Sequence, residues 1–335
     1  MTDVAEGNGM TPESWLDTPD RGDGRVYVMS EPIKFAVDVA LATGRPLLLR
    51  GKPGSGKSSL APHIAMQRGW RYYEHVVTNR TQPRDLLWTY DSLRRLHDAQ
   101  RPARDGHKLD DWAYVRPEAL WWALAPQSAR RLGRPAAGGG QGTAREPFAE
   151  VNAHRAPDCA VVLIDEIDKA DPDVPNSLLV PLGSHRFTIA ETGTEIRTEE
   201  PGKGADQRLS RHLIVITTNE ERELPQAFLR RCVVAVLPEH DRETLVRIAR
   251  EHMEHWPGGV SARDLGLAEA VAAELAIVRQ RAEAQDLRSP STAEYLDALR
   301  ACRTLGVHPH ADTQQWRWLV NNVFVKPQQV AEGLM

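Results

Sequence analysis

The sequence predicts a doubly wound α/β domain followed by a smaller all-helical domain, and three observations carry that expectation. Short, continuously apolar runs alternate with stretches of helical periodicity, the pattern of parallel strands buried on both faces. A glycine-rich turn joins the first apolar run to the next helix. After Pro238 the apolar runs cease and only helical patterns remain.

In chain order, Ile33, Val37, Val39, Ala40 and Leu41 suit a helix entered at Pro32 and stopped at Gly44. Residues 46–50 (PLLLR) make the first strand and 59–68 the helix behind it. Further strands are expected at 72–77, 160–164 (AVVLI), 212–217 (HLIVIT) and 233–237 (VVAVL), with a helix over 174–182. Two stretches interrupt this alternation. Residues 101–150 hold an aromatic segment, 112–125, and then RRLGRPAAGGGQGTAREP, whose glycines and prolines mark a mobile loop. Residues 186–198 alternate around Thr192-Gly193 and read as a hairpin. From Arg242 onward, helices are expected with breaks at Pro257-Gly258-Gly259, Ser289-Pro290 and 306–309, and no internal repeat is visible.

The 335 residues are enough for about two domains with a full core. With 41% hydrophobic and 26% charged residues, the composition is that of a soluble globular protein, and no apolar run is long enough to cross a bilayer. The N-terminus offers no basic region followed by an apolar one, so a cytoplasmic protein is expected. Three widely spaced cysteines, Cys159, Cys232 and Cys302, support neither a disulfide framework nor a paired-cysteine zinc site and read as buried small hydrophobes. A net charge of -4 argues against a chain that coats nucleic acid.

The most informative segment is LLLRGKPGSGKSSL, in which Gly51, Gly56, Lys57 and Ser58 satisfy G-x-x-x-x-G-K-[ST] between a strand and a helix. Glycines let main-chain N–H groups converge on phosphate oxygens, the helix N-terminus favours an anion, a lysine neutralises the terminal phosphates, and a serine hydroxyl suits magnesium. The expected binding set is Gly51, Lys52, Pro53, Gly54, Ser55, Gly56, Lys57, Ser58 and Ser59. The second segment, VVLIDEID, ends an apolar strand in adjacent carboxylates. There Asp165 is expected to join Ser58 around Mg2+, and Glu166 to polarise the attacking water in hydrolysis of ATP or GTP.

From about residue 27 to 300 the chain resembles an AAA+ ATPase of the MoxR-like, helix-2-insert group. The resemblance rests on GKPGSGKS, VVLIDEID, IVITTNEE, ELPQAFLRRCVVAV and LRSPSTAEYLDALRA in that order. It implies an α/β P-loop NTPase domain with a five-stranded parallel sheet in order 5-1-4-3-2, plus a C-terminal helical lid. It also implies ATP as the nucleotide, Asn219 as the first sensor, Arg231 or its neighbour Arg230 as the arginine finger, and Arg288 as the second sensor. Residues 1–24, polar, glycine-rich and acidic without periodicity, read as a disordered leader, and the rest of the chain divides into an ATPase domain (25–238) with an insertion at 101–150 and a hairpin at 186–198, and a lid domain (239–335). A finger that serves the neighbouring subunit's nucleotide implies a ring, a hexamer. Members of the group remodel proteins, often ones with a von Willebrand factor A domain.

Other features point less far. With 35 Arg against seven Lys, any single arginine is by default a surface ion-pair partner. Trp112, Tyr114, Trp121 and Trp122 could grip a client or stack bases, but packing of the insertion is the simpler use. His252 and His255 lack a zinc-protease spacing. Tyr27 and Ile33 are candidates for the adenine pocket by analogy. The competing functions are a DNA-directed AAA+ motor of the restriction type, disfavoured by the acidic charge balance, and a slowly hydrolysing nucleotide switch in a signalling or defence complex. A small-molecule kinase is a further option, disfavoured by the helical lid and the sensor residues.

Overall fold

The computed structural model describes residues 24–100, 109–134, 144–198, 210–256, 258–309 and 313–325. The leader expected over 1–24 lies outside these residues except for Gly24. Two compact units form. Among the described residues, those within 29–53 and 64–238 make a sheet unit; those within 24–28, 54–63 and 239–325 make a helical unit.

Five parallel strands build the sheet unit: β1 (Leu47–Arg50), β2 (Trp70–Val76), β3 (Ala156–Asp165), β4 (His212–Thr218) and β5 (Val233–Val236). Their spatial order is β2-β3-β4-β1-β5, which is the expected 5-1-4-3-2. The central strands each carry a continuous apolar run because they are covered on both faces; Leu47, Leu48, Leu49, Val161, Val162, Val215 and Ile216 are all fully buried. Helix Glu31–Thr43 begins with a proline in its first turn and stops at Gly44, which takes a left-handed conformation at φ 63°. It buries Ile33, Val37, Ala40 and Leu41, one helical stripe.

The expected helix over 174–182 is two short helices, Asp173–Ser177 and Leu179–Ser184. Pro175 and Pro181 each remove a main-chain donor, which favours two first turns over one continuous helix. The hairpin forms as expected, Arg186–Ile189 against Thr194–Arg197. The insertion folds in large part. An antiparallel ribbon, Trp88–Tyr90 with Val115–Pro117, is followed by helices Ala119–Leu124 and Pro126–Arg130. Trp121, Trp122 and Tyr114 are buried in the sheet unit's core, so these rings serve packing. Trp88 stacks on Phe187 of the hairpin with ring centroids 5.7 Å apart, Trp121 meets Phe187 edge-on at 5.8 Å, and Trp88 Nε1 donates to Glu191 at 2.9 Å.

Of the stretch 130–147 expected as a loop, Arg130 ends helix Pro126–Arg130, and residues 135–143 lie outside the described ones. On either side of them the chain is pinned. Ala144 N donates to Arg130 O at 3.0 Å, and Glu146 accepts from Arg71 (2.7 Å), Tyr73 (2.8 Å) and Arg130 (3.3 Å). Cys302 is buried as expected, but Cys159 and Cys232 are only half-buried, each near the end of a strand. Burial still raises all three thiols, Cys232 up to about 12, so they stay protonated.

The helical unit holds helices Arg242–Glu254, Ala262–Ala284, Thr292–Leu305 and Gln314–Val323 around Leu245, Met253, Leu275, Tyr295, Leu299 and Trp316. Asp241 caps the first, and capping boxes Ser261/Asp264 and Ser291/Glu294 open the next two. Among the described residues no helix is long and apolar enough to cross a membrane.

Two measurements check this account. Arg71 and Glu146 side chains are 10% and 13% exposed. Glu146→Ala leaves a buried guanidinium without its counter-charge and should lower unfolding free energy by about 3 kcal/mol in denaturant titration. His212, at the start of β4, has both ring nitrogens buried without a partner among the described residues. Burial pushes its pKa down to about 3, with His185 and Arg211 adding to the effect. The folded protein thus keeps the ring neutral while the unfolded chain takes up a proton below about pH 6.5, so stability falls as the pH drops through that value. Urea midpoints at pH 7.5 and 5.5 should differ less in His212→Phe than in the wild type.

Candidate functional site

In the sheet unit, the carboxyl ends of three neighbouring strands bring the acidic residues together, the position where ligands bind in open α/β sheets. Ile164 pairs with Ile216, so the next residues, Asp165 and Thr217, stand beside each other. Thr217 is buried and its hydroxyl is used in both directions. It donates to Asp165 Oδ1 at 2.5 Å and accepts from Glu166 N at 2.9 Å. That second bond helps hold Glu166 at φ 59°, a left-handed conformation that costs a non-glycine residue about 1 kcal/mol or more.

The Glu166 carboxylate is gripped from two sides. Asn219 Nδ2 donates to Oε1 at 3.2 Å, and the Lys169 ammonium pairs with Oε2. The hydrogen bond to Glu166 raises the Lys169 pKa. Asn219 belongs to a turn after β4 held by several side chains. Asp168 Oδ2 accepts from Asn219 N (3.1 Å) and Glu221 N (3.0 Å), and Thr218 Oγ1 accepts from Glu220 N (3.0 Å). Arg50, the last residue of β1, pairs with Glu220, which has φ 62°. Glu166, Asp168 and Lys169 line a cleft of about 460 Å³ together with the chain following β2, Val77 to Asn79.

Arg230 and Arg231 lie exposed where helix Gln226–Leu229 runs into β5. Arg231 Nη1 bonds back to Ala227 O at 3.1 Å, and Arg45 Nη1 donates to the Arg230 carbonyl at 3.0 Å. Ile33, one of the two adenine candidates, is buried in this unit. Gly51, Lys52 and Pro53 follow β1 directly, Gly51 buried and the other two exposed.

The helical unit carries the rest of the phosphate loop. Lys57 opens helix Lys57–Arg68 and, like Ser55, is buried, whereas Ser58 is exposed and Ser59 half-buried. The Ser55 hydroxyl is buried without a partner among the described residues. Gly54 has φ 72°, and a Cβ there would lie 2.4 Å from Ser291 Oγ, the cap of helix Thr292–Leu305. Gly56 has φ 89° with the Tyr27 ring close by, and Tyr27 in turn packs on His63 with centroids 5.5 Å apart. His240, whose pKa burial lowers, hydrogen-bonds the Ser55 main chain. Arg279 donates to the carbonyls of His240 (2.8 Å) and Pro290 (3.0 Å), which ties down both segments that meet the loop. The Arg288 guanidinium bonds both oxygens of Glu294, 3.0 and 3.4 Å, and Glu294 also receives the Ser291 N–H at 2.7 Å.

Sequence reasoning gave no role to Thr217, Asp168, Lys169 or the Arg50–Glu220 pair. Only Lys169 carried a local signal, its i,i+3 spacing from Glu166.

The sequence pattern of the AAA domain family, dynein-related subfamily, matches residues 46–232, more than half of the chain. The chain belongs to that family. AAA domains are nucleotide-binding ATPases, and the sheet order and the helical region after it fit that assignment. Among solved structures, this AAA domain is similar to a Cytophaga hutchinsonii ATCC 33406 protein described as a candidate ATPase (15% identity, TM-score 0.41, covering 96% of this chain and 89% of that one). It is also similar to NtrX from Brucella abortus in complex with ADP (12%, 0.46, 90% and 56%) and to the RuvB Holliday junction branch migration motor of Thermotoga maritima (13%, 0.42, 88% and 68%). Likenesses this distant say nothing of substrate or partner. No match was found among curated proteins.

Gly54→Ala combines a left-handed φ with a side chain directed at Ser291. It should cost more than about 1 kcal/mol of stability, visible as a lower melting temperature, whereas Gly69→Ala, with φ 65° but open space around it, should cost less.

Proposed function

We propose that the chain is an ATP-hydrolysing remodelling ATPase of the MoxR-like kind, acting in the cytoplasm as a hexameric ring on a protein client, one with a von Willebrand factor A domain. The observation that carries the hydrolytic part is the Asn219 amide on the Glu166 carboxylate, beside an Asp165 whose orientation Thr217 sets. A switch that only binds nucleotide has no use for such an arrangement.

In this reading the main-chain N–H groups of Gly51 to Ser59 and the Lys57 ammonium hold the triphosphate, and Tyr27 flanks the adenine. Ser58 and Asp165 offer hard oxygen donors, which suit magnesium, and no cluster of three or more His, Cys, Asp or Glu side chains gathers for a metal among the described residues. Bound by these two residues, the ion would supply charge neutralisation on the phosphates. Glu166 orients and deprotonates the attacking water. Asn219 and Lys169 hold the carboxylate that does so from its two sides. Arg231, or Arg230 beside it, acts on the nucleotide of the adjacent subunit, and its exposure leaves it accessible for that. Arg288 completes the site from the lid after leaving Glu294.

Three variants test this. Lys57→Ala should abolish nucleotide binding. Glu166→Gln should bind ATP yet turn it over on the order of a hundredfold more slowly, and trap a ring visible by mass photometry. A mixture of Arg231→Ala and Lys57→Ala chains should regain turnover that neither shows alone. A wild type that hydrolyses ATP as a monomer would refute the ring.

A further inference from the structure

The run Asp165 to Lys169 contains a carboxylate that the hydrolytic reading leaves unused. Asp168, in the 3-10 turn Ile167–Lys169, is 2% exposed, and its Oδ1 is buried without a partner among the described residues. Burying a carboxylate so is costly and calls for a compensating role. Its other oxygen accepts two main-chain N–H groups, from Asn219 and Glu221.

Asn219 is therefore held twice by one short acidic segment. Asp168 takes its main-chain N–H, and Glu166, two residues earlier, takes its side-chain amide. The turn between is a conformation that the backbone alone disfavours, since Glu220 has φ 62°. The N–H groups of three successive residues, 219 to 221, all end on side-chain oxygens. Without Asp168, two of the three lose their acceptors, the N–H of Asn219 itself among them, and the turn is left with the contacts of Glu220 to Thr218 and Arg50.

We propose that Asp168 is a positioning residue for hydrolysis: by clamping the Asn219–Glu221 turn it keeps the Asn219 amide on Glu166, and so keeps the water-activating carboxylate in one orientation. This rests on the reading of Glu166 and Asn219 as the groups that act on the water.

The test uses the full chain with ATP and magnesium. Asp168→Ala should lower kcat about tenfold or more while KM for ATP stays within about twofold, because the phosphate contacts are untouched. Asp168→Asn keeps an oxygen for both N–H groups and should restore most of the loss. In an Asn219→Ala background Asp168→Ala should add less than about twofold, since the group it positions is gone. Should Asp168→Ala fail to fold in thermal melts, Asp168→Ser takes its place in each arm. Asp168→Asn no better than Asp168→Ala, or losses that multiply in the double variant, overturns the proposal and leaves the roles of Glu166 and Asn219 standing. An Asn219→Ala variant with wild-type kcat overturns those roles and the proposal together.

Discussion

Everything at the acidic edge of the sheet depends on the register between β3 and β4. With Ile164 opposite Ile216, the next residue on each strand is polar, and the Thr217 hydroxyl falls between the Asp165 carboxylate and the Glu166 main chain. A slip of one residue would turn every apolar side chain of β4 to the other face of a sheet buried on both sides. The apolar packing that makes the strands thus also sets where the two carboxylates sit. The polar bonds at the strand ends refine an alignment that hydrophobic burial has already imposed.

The phosphate loop depends on a different constraint, close approach. Gly54 leaves room for Ser291, which simultaneously caps helix Thr292–Leu305 and shares Glu294 with Arg288. A hydroxyl, a carboxylate and a guanidinium are thereby linked within the helical unit, and the same capping box that starts the helix holds the arginine.

Much of this was legible in the sequence, for reasons that differ by element. The strands could be read because the covered middle of a parallel strand is continuously apolar, and the differences are confined to ends: β3 begins at Ala156 rather than 160, where mostly exposed residues carry no pattern. The phosphate loop could be read because its chemistry fixes both residue types and spacing. The stretch over 174–182 is helical as its periodicity suggests, and its two prolines go with the break at Leu178 that divides it into two short helices. What could not be read are the partners that meet only after folding. Thr217 lies 52 residues from Asp165, Glu220 lies 170 from Arg50 and Glu146 lies 75 from Arg71. No local spacing announces such pairs, and each one is an ordinary polar residue until the sheet order places it.

The anchoring of Ala144 and Glu146 to Arg130 and Arg71 has a practical side. The two ends of the intervening segment are held next to each other by the folded insertion itself, so the cost of closing that loop grows only slowly with its length. A fluorescent reporter or an affinity handle spliced between residues 135 and 143 would enter at a point where the framework on both sides supports itself, leaving the strand ends and the phosphate loop as they are.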